Sequence, residues 1–131
     1  MHMNNVFAPV IRMFLAALLV FLVFGWFAPV SRGDQAEAEA GKKLFQERGC
    51  AACHTIGKGK LTGPDLAGVT ERRDEEWLKK WLKSPETMLM SDPVAKEMLQ
   101  QYMVPMPNQG LSDQDIDALI DYFEYEDSNK K

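Results

Sequence analysis

Hydrophobic and polar positions divide the chain into two unequal regimes. From Met13 to Val30 it runs MFLAALLVFLVFGWFAPV, eighteen residues without a charge, with Arg12 before it and Arg32 after. That length is at the edge of what spans a bilayer. The nearest Ala-x-Ala patterns, Ala36-Glu37-Ala38 and Ala38-Glu39-Ala40, lie beyond Arg32 and Asp34. This is a poor setting for a signal-peptide cleavage site, so an uncleaved anchor is favoured over a cleaved signal peptide. A buried helix of a soluble domain is the third reading, and nothing else in the chain could cover a helix apolar all round. The first two readings both export the remainder of the chain.

Beyond this segment apolar positions recur at helical spacing, separated by turn residues. Residues 1–33 are assigned to the anchor or signal, and the small, polar stretch 34–39 to a linker. The domain runs over 40–127 and a polar tail over 128–131. Ala40 to Arg48 is a short helix with Leu44 and Phe45 on its apolar side, ended by Gly49. Thr55 to Gly68 holds four Gly and one Pro and must be loop. Asp74 to Lys83 places Trp77, Leu78, Trp81 and Leu82 at i, i+1, i+4 and i+5, a helix that Pro85 stops. Pro93 fits the first turn of another helix reaching about Tyr102. Pro105 and Pro107 make VPMPNQG extended and stiff. Ser112 opens the last helix, with Asp115 as a variant of the capping box, and Ile116, Leu119, Ile120 and Phe123 form its stripe. The tail EDSNKK is expected to fray. No strand pattern or internal repeat occurs, so the fold class is all-α, with long loops that need something to pack on.

Composition sharpens this picture. The chain has 131 residues and two cysteines, so no disulfide framework staples the small exported domain. A covalently held apolar cofactor would supply the missing core. The net charge of −4 conceals a gradient: residues 42–83 carry ten Lys/Arg and six Asp/Glu, residues 84–127 one Lys and ten Asp/Glu. Overall acidity without a dominant basic stripe argues against a nucleic-acid partner.

The two cysteines stand in Cys50-Ala51-Ala52-Cys53-His54. Cys-x-x-Cys-His is the pattern of c-type haem attachment. Two thiols on one turn reach the two vinyl groups, and the next residue directs an imidazole at the iron, so Cys50 and Cys53 would form thioethers and His54 the proximal bond. A thioredoxin-like redox pair needs a βαβ setting that is absent here, and a zinc site needs two more ligands. The only other histidine, His2, precedes the apolar segment. That leaves Met, Lys or an empty position as sixth ligand. Of Met88, Met90, Met98, Met103 and Met106, most are expected to fill core or pack on the porphyrin. Met106 differs in lying between two prolines, where a rigid backbone favours a weakly bound thioether. Met103 is the alternative.

With these residues the chain resembles the class I cytochrome c family, over about Ala40 to Tyr125. The resemblance implies that Gly41 and Phe45 lie on an N-terminal helix crossing the last helix closely at Leu119 and Tyr122. Gly63-Pro64-Asp65-Leu66 looks like the family's loop below the haem, in which the carbonyl of Pro64 would orient His54. Met106-Pro107 looks like the axial-methionine loop. The segment Glu71–Tyr102 departs from the mitochondrial type, and is more similar to small bacterial cytochromes tied to respiratory and denitrification enzymes. In it Trp77 or Trp81 would donate to a haem propionate, unless both are only core. The resemblance implies a monohaem electron carrier. Its redox partners would be a quinol-oxidising complex or similar donor and a terminal oxidase or reductase, with no small-molecule substrate. The domain would sit on the periplasmic face of the bacterial inner membrane, or free in the periplasm after cleavage. A subunit fixed in a membrane oxidase or reductase complex, and a haem enzyme or gas sensor with an open sixth position, are the alternatives. Lys42, Lys43, Arg48, Lys58 and Lys60 lie close in sequence to the haem cysteines and would form a basic docking face.

Overall fold

The computed structural model describes residues 32–129. The apolar run Met13–Val30, with the anchor and signal-peptide readings placed on it, lies outside the described residues. Among the described residues there are helices and no strands, and no helix is long and apolar enough to cross a membrane.

Helix α1 spans Arg32–Glu47. It therefore takes in residues 34–39, which the sequence pattern assigned to a linker. The correction has a local cause: Ala and Glu alternate through this stretch, and both are strong helix formers. Ala38 is buried at 3% exposure, so the added turns also gain packing. Gly49 ends the helix in a left-handed conformation, φ 73°, and leads into a single 3-10 turn, Cys50–Ala52.

After the Gly-rich loop come α2 (Val69–Arg72), α3 (Glu75–Lys83), α4 (Pro85–Ser91) and α5 (Pro93–Tyr102). Asp74 caps α3, its carboxylate accepting from the Trp77 N–H, and Asp92 caps α5 by accepting from the Ala95 N–H. Pro85 does stop α3, but it also opens α4, because a proline at the first helical position gives up a donor that has no partner there anyway.

Helix α6 spans Asp113–Asn129. Its start is a reciprocal cap: the Asp115 N–H donates to Ser112 Oγ at 3.1 Å, and the Ser112 N–H donates to Asp115 Oδ2 at 3.0 Å. Of the tail EDSNKK, expected to fray, the part from Glu126 to Asn129 is helical instead, and the last two residues lie outside the described residues. Asp127 is buried and accepts from the Gly68 N–H at 2.5 Å, the Thr70 N–H at 3.2 Å and Thr70 Oγ1 at 2.8 Å, which pins the last turn to the start of α2.

The α1–α6 pair is the most extensive helix contact. Gly41 makes it possible: a Cβ there would lie 1.8 Å from the Ala118 carbonyl oxygen and 2.8 Å from Tyr122 Cβ. The crossing expected at Leu119 or Tyr122 is thus found at Ala118 and Tyr122. Phe45, one turn on, packs its ring 5.9 Å from Tyr122 and 6.1 Å, edge to face, from Phe123. With Leu78, Leu82, Ile116, Leu119 and Ile120 these form the core. Each such side chain contributes roughly 1.5–3 kcal/mol on burial.

Candidate functional site

One side of this core opens into a cavity of about 710 Å³. Its wall carries Cys50, Cys53, His54, Pro64, Trp77, Trp81 and Met106, so the tertiary fold brings together these seven candidate haem-site residues.

The Cys50–His54 segment takes its shape from local hydrogen bonds. The Cys53 and His54 N–H groups both donate to the Cys50 carbonyl, at 3.1 and 2.9 Å, winding the two thiols and the imidazole onto one tight turn. Both cysteines are half-buried, and no disulfide joins them. Burial pushes the Cys50 thiol up from its ordinary value.

His54 is held from two sides. Its Nδ1 lies 2.9 Å from the Pro64 carbonyl oxygen, an acceptor that makes Nδ1 the protonated nitrogen and leaves Nε2 as the donor atom. Against the ring face lies Gly63, where a Cβ would fall 2.5 Å from His54 Cε1. Only glycine lets the backbone approach the imidazole so closely. The sequence marks Gly63 as loop without revealing this contact.

Asp65 supports the same loop, and sequence reasoning assigned it no role. Its carboxylate accepts from the N–H groups of Ala67, Gly57 and Gly59 at 2.8, 2.7 and 2.5 Å. These donors, Ala67 foremost, hold its pKa well below the usual carboxylate range. The Gly63 N–H bonds the Cys53 carbonyl and the Leu66 N–H the Thr55 carbonyl, each at 2.8 Å, which ties the loop to the Cys-x-x-Cys-His turn.

Much of the remaining lining comes from α3 to α6 and the segments between them. Met106 lies between Pro105 and Pro107 and lines the cavity, whereas Met103, at φ 60°, is 79% exposed. Met98 also lines the cavity. Met90 is 81% exposed, and Met88 is buried away from the cavity wall, so neither packs where a porphyrin would lie. Trp77 and Trp81 stack one helical turn apart, centroids 5.6 Å and planes 14° apart. Their N–H groups differ: Trp81 Nε1 donates to Met106 Sδ at 3.1 Å, while Trp77 Nε1 is buried without a partner among the described residues.

These features fit a haem. Two thiols and an imidazole stand on one turn, a glycine leaves room for the ring of His54, and a buried indole N–H lacks an acceptor. No group of three or more His, Cys, Asp or Glu that could hold a metal ion by itself occurs among the described residues.

Comparison with known proteins agrees. The cytochrome c family profile matches residues 38–125. A solved cytochrome c from Rhodothermus marinus is similar at 31% identity and TM-score 0.70, over 79% of this chain and 90% of that one. The cytochrome c domain of a Pseudomonas putida protein is similar at 42% identity and TM-score 0.60, over 67% and 88%. Among curated proteins, cytochrome c oxidase subunit 2 of Alkalihalophilus pseudofirmus is 29% identical over 110 residues, and the match takes in 76% of this chain but 29% of that relative. With a match that runs from the first buried turn of α1 almost to the end of α6, this chain belongs to the cytochrome c family.

Proposed function

We propose that this cytochrome c is a single-electron carrier with His54 and Met106 as the two axial ligands, working between respiratory complexes outside the cytoplasm. The family binds covalent haem c with its iron and performs haem-based electron transfer. What the bound haem supplies is one iron that gains and loses a single electron. The residues of the chain do the rest. Cys50 and Cys53 tether the ring, Pro64 fixes the tautomer and plane of His54, and Gly63 makes room for it. The unpartnered N–H of Trp77 supports its role as donor to a propionate; buried and unsatisfied, such a group costs about 1–3 kcal/mol.

The observation that carries this reading is that His54 and Met106 line the same cavity, with Met103 out in solvent. With bonds from both His54 and Met106 the iron would have no position left for substrate, and a thioether raises the potential. The test is the absorption spectrum of the reduced protein with and without carbon monoxide. The parent should not respond. Met106→Ala should bind CO, lose the weak near-infrared band of sulfur on ferric haem and fall in potential, while Met103→Ala stays like the parent. A parent that binds CO readily would point to a haem enzyme or gas sensor.

The long apolar run Met13–Val30 supports anchorage on the periplasmic face of the inner membrane. Intact mass of membrane-extracted protein reports the haem adduct and the fate of residues 1–33 together. A second reading, a haem c subunit fixed in a membrane oxidase or reductase complex, draws on the similarity to an oxidase subunit 2. Co-purification of a stable partner would favour it over a free shuttle.

A further inference from the structure

The indole N–H of Trp81 is spent neither on backbone nor on solvent but on a thioether, Met106 Sδ at 3.1 Å. Four features show that this contact is built. Trp81 is fixed by its stack on Trp77, one turn earlier on α3. Leu78 and Leu82 of the same helix are buried, which sets the helix's rotation. Pro105 and Pro107 on either side of Met106 offer no N–H of their own, so no adjacent backbone donor competes for the sulfur. The segment after Met106 is tied back to the same region: Asn108 Nδ2 donates to Glu86 Oε1 at 3.0 Å, and Lys83 Nζ reaches the Leu111 carbonyl at 3.4 Å. Helix α3 thus acts as a splint for the methionine loop.

We propose that Trp81 is a positioning residue that sets the orientation and donor strength of the Met106 sulfur. This rests on the reading of Met106 as an axial ligand. A thioether sulfur carries two lone pairs. When the indole N–H takes one, only the other can bond a metal, which selects one of two sulfur configurations. The accepted hydrogen bond also draws electron density from the sulfur. A weaker donor stabilises ferric iron less and so favours the ferrous state. Trp81 would therefore hold the potential up, in addition to the effect of the thioether itself.

The experiment compares holoprotein of the parent with Trp81→Phe, with a protein carrying 3-benzothienylalanine at position 81, and with Met106→Ala in the presence and absence of Trp81→Phe. The benzothienyl ring keeps the indole shape and lacks the N–H, so it serves where phenylalanine disturbs packing. The readouts are the sulfur-to-ferric charge-transfer band and the midpoint potential. Removing the N–H should leave the band present but displaced. It should also lower the ferrous-to-ferric ratio at fixed ambient potential roughly fivefold, a downward shift of about 40 mV for one electron. In the Met106→Ala background the same substitution should do nothing further. Unchanged band and potential in both Trp81 variants would overturn the proposal while leaving Met106 as ligand. So would an equal shift in the Met106→Ala background, which would mean general packing. A parent without the sulfur band, or one whose band survives Met106→Ala, would overturn the ligand reading and this inference with it.

Discussion

Asp65 shows how much one carboxylate can organise. It gathers three backbone N–H groups across a loop with Gly57, Gly59 and Gly63 in it, and the same loop presents the Pro64 carbonyl to His54. Its folded pKa is depressed, chiefly by the Ala67 N–H. The sign follows from linkage. The contribution is present in full above the ordinary carboxylate pKa of about 4 and is lost as the pH falls through the lower folded value. Acid should therefore loosen this loop in the parent progressively below about pH 4. Asp65→Asn should be less stable at pH 7 and show a flatter acid limb. Denaturant midpoints measured against pH for both proteins decide the matter, and identical acid slopes would refute the assignment. Asp65 was visible in the sequence only as one residue of a Gly-Pro-Asp-Leu loop. Its partners lie two to eight positions away in irregular backbone, where no periodicity announces them.

At the scale of elements, two devices lock the ends of the domain together. Gly41 lets α1 lie against the Ala118 carbonyl of α6. Gly41→Val would drive side-chain atoms into backbone that cannot rotate away, so the cost should reach about 3 kcal/mol, the upper part of the overpacking range. A variant as stable as the parent in urea would show that the helices do not meet there. The second device is Asp127, which accepts from Gly68 and Thr70 across more than fifty residues of chain. Asp127→Ala leaves those donors unpaired and should cost roughly 1–3 kcal/mol. Hydrogen exchange should then quicken at the Gly68 and Thr70 amides, and slow exchange there in the variant would count against the clamp. The cap at Ser112 was legible because a cap and its N–H lie three residues apart, whereas the same spacing at Asp74 and Asp92 was not singled out. The role of Asp127 was not, since a polar residue near a polar C-terminus reads as solvated tail.

Across the whole molecule, the charge gradient along the sequence is partly cancelled by folding. Lysines of α3 pair with acids of α6: Lys79 with Asp117 at 2.9 Å and Lys83 with Asp113 at 2.6 Å. Lys42 pairs with Glu39, Lys43 with Glu47 and Arg48 with Asp115, at 3.5, 3.7 and 3.5 Å. Of the five cations expected to form a docking face, Lys58 and Lys60 make no ion pair among the described residues. Lys60 instead lies over the Tyr102 ring, 4.8 Å from its centroid, at the rim of the cavity. Steering should therefore depend on these two. Electron transfer to an acidic partner should slow as salt rises, with screening over about 10 Å at 0.1 M. Lys58→Glu with Lys60→Glu should slow it further at low salt, on the order of tenfold. Stopped-flow rates indifferent to both changes would favour apolar or tethered docking.

What the sequence determined by itself was the chemistry and the fold class. Haem attachment needs two thiols and an imidazole within five consecutive residues, so the requirement is written in one short word of sequence, Cys50 to His54. Helical periodicity and caps are equally local. The tertiary structure decided what depends on distant residues meeting. It pressed Gly63 onto the ring of His54, put Asp127 on Gly68, and turned Met106 to the cavity and Met103 to solvent. It also divided the two tryptophans, one N–H on sulfur and one unpartnered. In the sequence these are equivalent, spaced at i and i+4 on one helix face. They differ only in what the rest of the chain, folded around the cavity, brings to each.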